Sequence, residues 1–82
     1  MDRCKEGMLA RSMAGHDAGK VYVIVRADGE YVYLADGRIR TLDRLKKKKK
    51  KHIQLICEQY DVSEVTDVKI KHILKNRNKE EE

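Results

Sequence analysis

Six consecutive lysines, residues 46–51, are the feature of this sequence with the clearest chemistry. Together with three preceding arginines they give residues 38–51 nine positive charges against Asp43 alone, a net +8 in fourteen residues. Like charges at this spacing repel one another and destabilise a compact arrangement unless an anion is present. Phosphate groups would supply that anion, and lysine contacts to phosphate give salt-dependent affinity with little base discrimination. The arginines, better suited to specific contacts, are Arg38, Arg40 and Arg44.

A solvated loop that only keeps the protein soluble is the alternative explanation of the lysine run. A run of mixed charge would favour that explanation, whereas six lysines in succession favour a bound polyanion. The sequence therefore predicts a phosphate-binding segment.

Three tyrosines lie on a predicted β-hairpin beside basic residues. One of them is placed to stack on an unpaired base while Arg26 or Arg38 holds the backbone. The alternative is that at least one tyrosine is a packing residue. The candidates are Tyr22, Tyr31 and Tyr33, and the predicted core residues of the same strands are Val23, Val25, Val32 and Leu34.

Other chemistries are poorly supported by the spacing of the candidate residues. The segment from Gly15 to Lys20 is one residue short of a Walker loop, and Val21 stands where Ser or Thr is required. The two cysteines and three histidines show neither C-x-x-C nor H-x-x-x-H spacing, so no metal and no cofactor is predicted. No Ser, His and acid arrangement and no carboxylate pair stands out, and catalysis is not expected.

The pattern of the first sixty residues predicts a mainly β fold, a small barrel with a short C-terminal helix. Residues 21–25 form a β-branched run of period two. Asp28 and Gly29 suit a two-residue hairpin turn, after which residues 31–34 resume the strand pattern. The other predicted strands span residues 7–14, 38–42 and 52–56, with a tight turn at Gly15 and Gly19, Ile53 and Leu55 facing inward, and the lysine run in a loop.

The chain changes character after residue 60. Thr66 is a candidate N-cap for a helix of about ten residues that would dock on the barrel, and residues 79–82 are predicted to be a frayed tail. Residues 1–60 carry a net +6 and residues 61–82 a net −1, which assigns the positive excess to the barrel. The predicted apolar stripe of the helix is Val65, Val68, Ile70, Ile73 and Leu74.

Length and apolar content limit the number of domains and argue against a membrane span. With 82 residues, one small module is expected. The longest apolar run, residues 21–25, is far shorter than the roughly 20 residues that cross a bilayer. The opening residues do not resemble a signal peptide, so we expect a cytoplasmic protein with reduced cysteines and no membrane span.

Residues 7–25, GMLARSMAGHDAGKVYVIV, closely resemble a KOW motif. They are similar to the version found in small bacterial RNA-binding proteins related to the archaeal and eukaryotic large-subunit ribosomal proteins fourteen and twenty-seven. Residues 36–40 (DGRIR), 46–48 (KKK) and 51–54 (KHIQ) also resemble that subgroup, so the similarity covers residues 7–56. Leu45 and Lys49 depart from it, because a proline and an asparagine are expected there.

The resemblance implies an SH3-like barrel in which Gly19 shapes the first turn, and it implies rRNA contact by loops and basic strand ends. His16, Lys20 and the segment from residue 46 to His52 are the positions it indicates. KOW modules also bind proteins, as in NusG-type transcription factors, so a protein-interaction module is the second interpretation. A third interpretation is a soluble domain whose basic run binds acidic proteins or a membrane surface. The full set of expected RNA-binding residues is His16, Lys20, Arg26, Arg38, Arg40, Arg44, Lys46, Lys47, Lys48, Lys49, Lys50, Lys51 and His52.

Overall fold

Five antiparallel strands in one sheet and a C-terminal helix make up the fold, which confirms the mainly β prediction. The computed structural model describes residues 4–81, and side chains as far as residue 77. In chain order the elements are β1 (Met8–Ser12), β2 (Val21–Asp28), β3 (Tyr31–Ala35), β4 (Lys46–Lys49), β5 (Ile53–Gln59) and α1 (Asp67–Glu81). The strand order is β4-β3-β2-β1-β5. A 3-10 turn at Lys50–His52 joins the two edge strands, so the sheet curls into a barrel-like shape.

Both faces of the sheet are buried over much of its area. Alternate residues point to opposite faces, so Tyr22 and Ile24 join an inner apolar cluster while Val23 joins an outer one. This two-sided burial explains why residues 21–25 are a continuous apolar run. Ile53 and Leu55 pack against the inner cluster, as predicted.

Helix α1 covers the outer cluster and therefore docks on the sheet, as the sequence predicts. Ile70 and Ile73 are buried against Leu9, Val23 and Ala35. The predicted apolar stripe is wrong only at Val68, which is 61% exposed.

The ends of the helix follow capping rules at one end and depart from the prediction at the other. Thr66 is confirmed as the N-cap, since its Oγ1 accepts a hydrogen bond from the N–H of Lys69 at 3.3 Å. The helix has fifteen residues rather than about ten and continues to Glu81. The frayed tail at residues 79–82 stays a prediction: the backbone is helical through Glu81, and Glu82 lies outside the described residues.

The hairpin between β2 and β3 is confirmed, but its turn residues are Gly29 and Glu30 rather than Asp28 and Gly29, since Asp28 ends β2 and pairs with Tyr31. The hairpin also contains an irregularity that the sequence did not reveal. Ile24 pairs with Leu34, yet the next pair is Arg26 with Tyr33, so Val25 is an extra residue in a β-bulge. A one-residue shift exchanges the faces of the side chains that follow. Arg26 consequently lies on the outer face of the sheet.

Two predictions fail between β3 and β5. Residues 38–42 form bends and turns rather than a strand, because Asp36 Oδ1 accepts the N–H groups of Arg38 and Arg40 at 2.8 and 2.9 Å. The lysine run is not a loop either, since residues 46–49 form β4, and every residue of β4 pairs with a residue of β3. Low β-propensity of lysine is overridden here by cross-strand pairing.

Candidate nucleic-acid interface

Strand β4 consists only of lysine and divides its side chains between two faces. Directly opposite residues of paired strands point the same way, so Lys46 and Lys48 share a face with Leu34 and Val32. Leu34 and Val32 belong to the inner cluster. The other two lysines, Lys47 and Lys49, are exposed on the outer face opposite Tyr33 and Tyr31.

The outer face of β2, β3 and β4 carries two tyrosines beside basic groups, and we call Tyr31 and Tyr33 the tyrosine platform. The guanidinium carbon of Arg26 lies 4.5 Å from the ring centroid of Tyr33. The ammonium nitrogen of Lys47 lies 4.2 Å from the ring centroid of Tyr31. Both rings are half-buried, and these cation–π contacts hold positive charge beside them. The bulge in β2 is what brings Arg26 to this face.

The inner lysines have a different environment because each meets the buried carboxylate of Asp17. Lys48 Nζ lies 2.9 Å from Asp17 Oδ1, and Lys46 Nζ lies 3.3 Å from Oδ2. Lys48 also donates to the carbonyl of Ala14 at 2.8 Å, and its side chain is only 11% exposed. Both inner lysines are therefore paired within the protein.

Asp17 also binds two hydroxyl groups. Ser12 Oγ lies 2.9 Å from Asp17 Oδ1 and 3.1 Å from the Ala14 carbonyl, and its single proton can serve only one of them at a time. The Tyr22 hydroxyl donates to Asp17 Oδ2 at 3.3 Å. We call Ser12, Asp17, Tyr22, Lys46 and Lys48 the Asp17 network. It fixes the loop between β1 and β2 against β4.

The electrostatics of this network keep Asp17 ionised. Burial alone would raise the pKa of its carboxyl, but hydrogen bonds from Lys48, Ser12 and Lys46 lower the pKa well below its ordinary value of 3.8. Burial and the adjacent Asp17 charge raise the pKa of Tyr22 to about 12. Tyr22 is thus a neutral hydrogen-bond donor at physiological pH.

The loop between β1 and β2 has the predicted glycine-dependent geometry. Gly15 and Gly19 adopt φ values of 84° and 90°, which side-chain-bearing residues rarely adopt. The N–H of Gly19 donates to the Ser12 carbonyl at 2.8 Å and closes the loop. His16 and Lys20 are exposed at its surface.

Residues 36–45 form a second ordered loop, which we call the arginine loop. Asp36 holds its first half, and the N–H of Leu42 donates to Asp67 Oδ1 of α1 at 2.8 Å. Arg38 and Arg44 are exposed, whereas Arg40 is half-buried. The loop therefore presents two arginines to solvent beside the start of the helix.

A shallow open depression lies where β4 meets the first loop. It combines polar and basic groups from both faces of the strand with one ring of the tyrosine platform. Its lining residues are Ala14, Gly15, Tyr31, Lys46, Lys47, Lys48, Lys49 and His52.

The predicted stacking role of Tyr22 is wrong, and three of the predicted lysines are less exposed than the others. Tyr22 does not present its ring for stacking, because it is 3% exposed and belongs to the inner cluster. Lys46 and Lys48 are held by Asp17 rather than directed freely outward. Lys50 is half-buried in the 3-10 turn and already interacts with other groups, whereas Lys51 and His52 are exposed.

Asp17 is the residue that sequence reasoning missed. It is the only acidic residue between Glu6 and Asp28, within a stretch expected to bind a polyanion. A lone acid in such a stretch is a signal for an internal partner of the lysines. That signal was visible in the sequence, but the pairing required β4 to be recognised as a strand.

Among the described residues, no group of three or more His, Cys, Asp or Glu side chains is arranged to hold a metal ion. Within the same part of the chain, no helix has the length and apolar character needed to span a membrane.

Comparison of the chain with models of known protein families, and with curated proteins, found no match.

Proposed function

We propose that this protein is a non-enzymatic RNA-binding module of the KOW type, and that it contacts rRNA of the large ribosomal subunit in the cytoplasm. The observation that carries the proposal is the all-lysine edge strand β4, which places Lys47 and Lys49 beside Tyr31 and Tyr33. Positive charge that tracks a phosphate backbone, next to rings on which bases stack, is the usual combination in RNA-binding surfaces. The resemblance of residues 7–56 to KOW proteins supports the same function.

Each part of this surface has a distinct role in the proposed complex. The exposed lysines and His52 contact phosphates, since the ammonium groups carry charge and rotate freely. Arg26, Arg38 and Arg44 have planar guanidinium groups that suit base edges and phosphate oxygens. The Asp17 network holds β4 against the first loop, so these groups are positioned before RNA arrives.

The direct test is sedimentation of the tagged protein in cell lysate through a sucrose gradient at low and high salt, with and without ribonuclease. We expect it to migrate with the large subunit at low salt and to be released by ribonuclease or high salt, because phosphate contacts weaken as salt rises. Migration near the top of the gradient in every condition would reject a ribosomal partner. Filter binding to purified rRNA fragments would then show whether RNA is bound at all.

Stacking on the tyrosine platform is tested by the double variant Tyr31→Ala/Tyr33→Ala. We expect RNA affinity to fall by about 10- to 100-fold, because loss of one stacked base costs about 1–3 kcal/mol. The salt dependence of binding should stay unchanged, since no charge is removed. The control Tyr31→Phe/Tyr33→Phe keeps both ring faces and should bind like the wild type. Equal affinity of all three proteins would exclude base stacking here.

A protein-interaction module is the second candidate function, and two exposed apolar side chains favour it. Ile39 is 73% exposed in the arginine loop, and Val68 is 61% exposed on α1. Under this alternative, Val68→Glu abolishes binding of a protein partner, whereas glutamine at the exposed lysines of β4 has little effect. Arg38 and Arg40 flank Ile39 in the sequence, and Lys71 shares the exposed helix face with Val68, which favours a polyanion over a neutral protein surface.

A further inference from the structure

We propose that RNA bound at β4 continues across the arginine loop onto the exposed face of helix α1, so that the helix is a second RNA-contacting surface. This inference rests on the RNA binding proposed above and extends it to the part of the chain that sequence reasoning had assigned no excess charge. The exposed side chains of this helix face are Val68, Lys69, Lys71, His72, Lys75 and Asn76.

The charge of the helix face differs from the charge of the C-terminal segment as a whole. Residues 61–82 carry a net −1, but no acidic residue occurs from Val68 to Arg77. Asp67, at the start of the helix, accepts the N–H of Leu42. The remaining acids of the segment precede Asp67 or follow residue 79. The exposed face between these two groups therefore carries three lysines and no acidic side chain.

The lysines of this face are not committed to internal partners in the way that Lys46 and Lys48 are. Among the side chains that the structure describes, none forms an ion pair with Lys69, Lys71 or Lys75. The pKa of Asp61 is lowered mainly by hydrogen bonds from Ser63, and the positive charge of Lys69 contributes to the same shift. Lys71 and Lys75 are the helix cations best placed to meet phosphate.

The arginine loop makes the helix face continuous with β4. Leu45, its last residue, leads directly into Lys46, and both Leu42 and Leu45 pack under the helix in the outer cluster. Gly37 lies so close to Asp67 and Lys71 that a Cβ atom there would collide with them. The loop therefore lies against the first turn of α1, and an RNA strand that leaves β4 meets the loop before the helix.

Ile39 is exposed at the middle of this path. It follows the exposed Arg38 and precedes Arg40, in a loop held by Asp36 and Asp67. An apolar side chain held between guanidinium groups fits a base or ribose whose phosphates the arginines contact. Charge on both sides thus explains an exposed isoleucine better than a purely apolar partner would.

The test compares RNA binding by Lys71→Gln/Lys75→Gln with binding by Lys71→Arg/Lys75→Arg, which keeps the charge. Each phosphate contact contributes about 0.7–0.9 to the slope of log K against log salt, or about fivefold in affinity at 0.1 M salt. We expect the glutamine variant to lose about 25- to 60-fold in affinity and the slope to fall by about 1.5. The arginine variant should bind like the wild type.

A single-charge comparison removes the effect of net charge. Lys75→Gln and Lys5→Gln each remove one exposed lysine, but Lys5 lies outside the proposed path. We expect only Lys75→Gln to weaken binding, by about fivefold. Equal effects of the two variants would overturn the proposal, because net charge alone would then account for the loss.

RNA length provides an independent readout. The protein extends 28 Å along its longest axis, and one small β-barrel domain usually covers about 4–16 nucleotides of a single strand. The helix variants should therefore weaken binding to a single strand of about 12 nucleotides more than binding to one of about 4. An unchanged affinity of the helix variants for both strands, with wild-type binding intact, would reject the helix surface while leaving the proposed function standing. No wild-type binding to either strand or to purified rRNA fragments would reject the function itself.

Discussion

Replacing Lys47 and Lys49 with glutamine is expected to weaken RNA binding by about 25- to 60-fold at 0.1 M salt, whereas replacing Lys46 and Lys48 should change it less than about fivefold. The two double variants remove the same number of charges from the same four-residue strand. They differ only in the face from which the charges are removed. Lys47 and Lys49 are exposed, but the other pair contacts Asp17.

The two variants should also differ in stability, in the reverse order. Without Lys46 and Lys48, Asp17 keeps only its hydroxyl donors, and we expect unfolding to require about 1–3 kcal/mol less free energy. The outward variant should unfold within about 0.5 kcal/mol of the wild type, since its lysines are exposed. Urea unfolding measures this difference, and filter binding over a salt series measures the affinities.

Equal losses of affinity in the two variants would contradict this interpretation. The lysine run would then act through its summed charge, and the alternation along β4 would have no functional meaning. If only Lys46→Gln/Lys48→Gln lost affinity while remaining folded, RNA would have to displace Asp17 from these lysines. Circular dichroism at the binding temperature shows that each variant is folded.

The sequence predicts the architecture best where local signals agree with tertiary pairing. Gly29 lies between two β-patterned segments, and the hairpin forms there, with Gly29 and Glu30 as its turn residues. The helix is predicted from Thr66 because a cap, an acidic first turn and apolar positions coincide. In each case one short segment contains the whole signal.

Strand β4 shows why the rest escaped prediction. Lysine has low β-propensity, and nothing within residues 46–49 indicates which neighbours would offset their repulsion. Those neighbours are distant in sequence: Asp17 lies about thirty residues earlier, and the tyrosines belong to β3. Local patterns do not record such pairings, so the six lysines appear equivalent in the sequence although the fold makes them unequal.

The detailed arrangement of the candidate site escaped prediction for the same reason. Arg26 faces Tyr33 only because a bulge inserts Val25, and the alternating pattern of β2 gives no sign of it. Tyr22 was indistinguishable from Tyr31 by type and strand position, yet the Asp17 network and the inner cluster bury it. Partner identity across strands decides which tyrosine reaches solvent.

Asp17→Asn is expected to reduce the free energy of unfolding by about 2–4 kcal/mol. The change keeps the side-chain volume but leaves two ammonium groups without a counter-charge, and breaking a fully buried pair costs about 3–5 kcal/mol. We expect a smaller loss of unfolding free energy than for a fully buried pair, because the side chain of Lys46 is 26% exposed and its ammonium group can be hydrated. At about 4–8 °C per kcal/mol for a protein of this size, the Tm should fall by more than about 10 °C.

A double-mutant cycle separates the ion pair from simple disruption of the loop. Lys48→Met in the Asp17→Asn background removes the cation that would otherwise stay buried, so stability should recover by about 1–2 kcal/mol relative to Asp17→Asn alone. In the wild-type background, Lys48→Met should destabilise. Additive losses in the double variant would mean that Asp17 and Lys48 do not stabilise each other.

The pH dependence of stability provides the final test of the network. Because folding lowers the pKa of Asp17, its contribution is complete above its unfolded pKa of about 3.8 and is lost as pH falls toward the lower folded value. We therefore expect wild type and Asp17→Asn to differ most above pH 5 and to converge as the solution is acidified below about pH 4. Other carboxyl groups titrate in both proteins, so comparing the difference between the two curves isolates Asp17. A gap that stays constant down to pH 2 would show that loop geometry, rather than the carboxylate charge, holds β4 against the first loop.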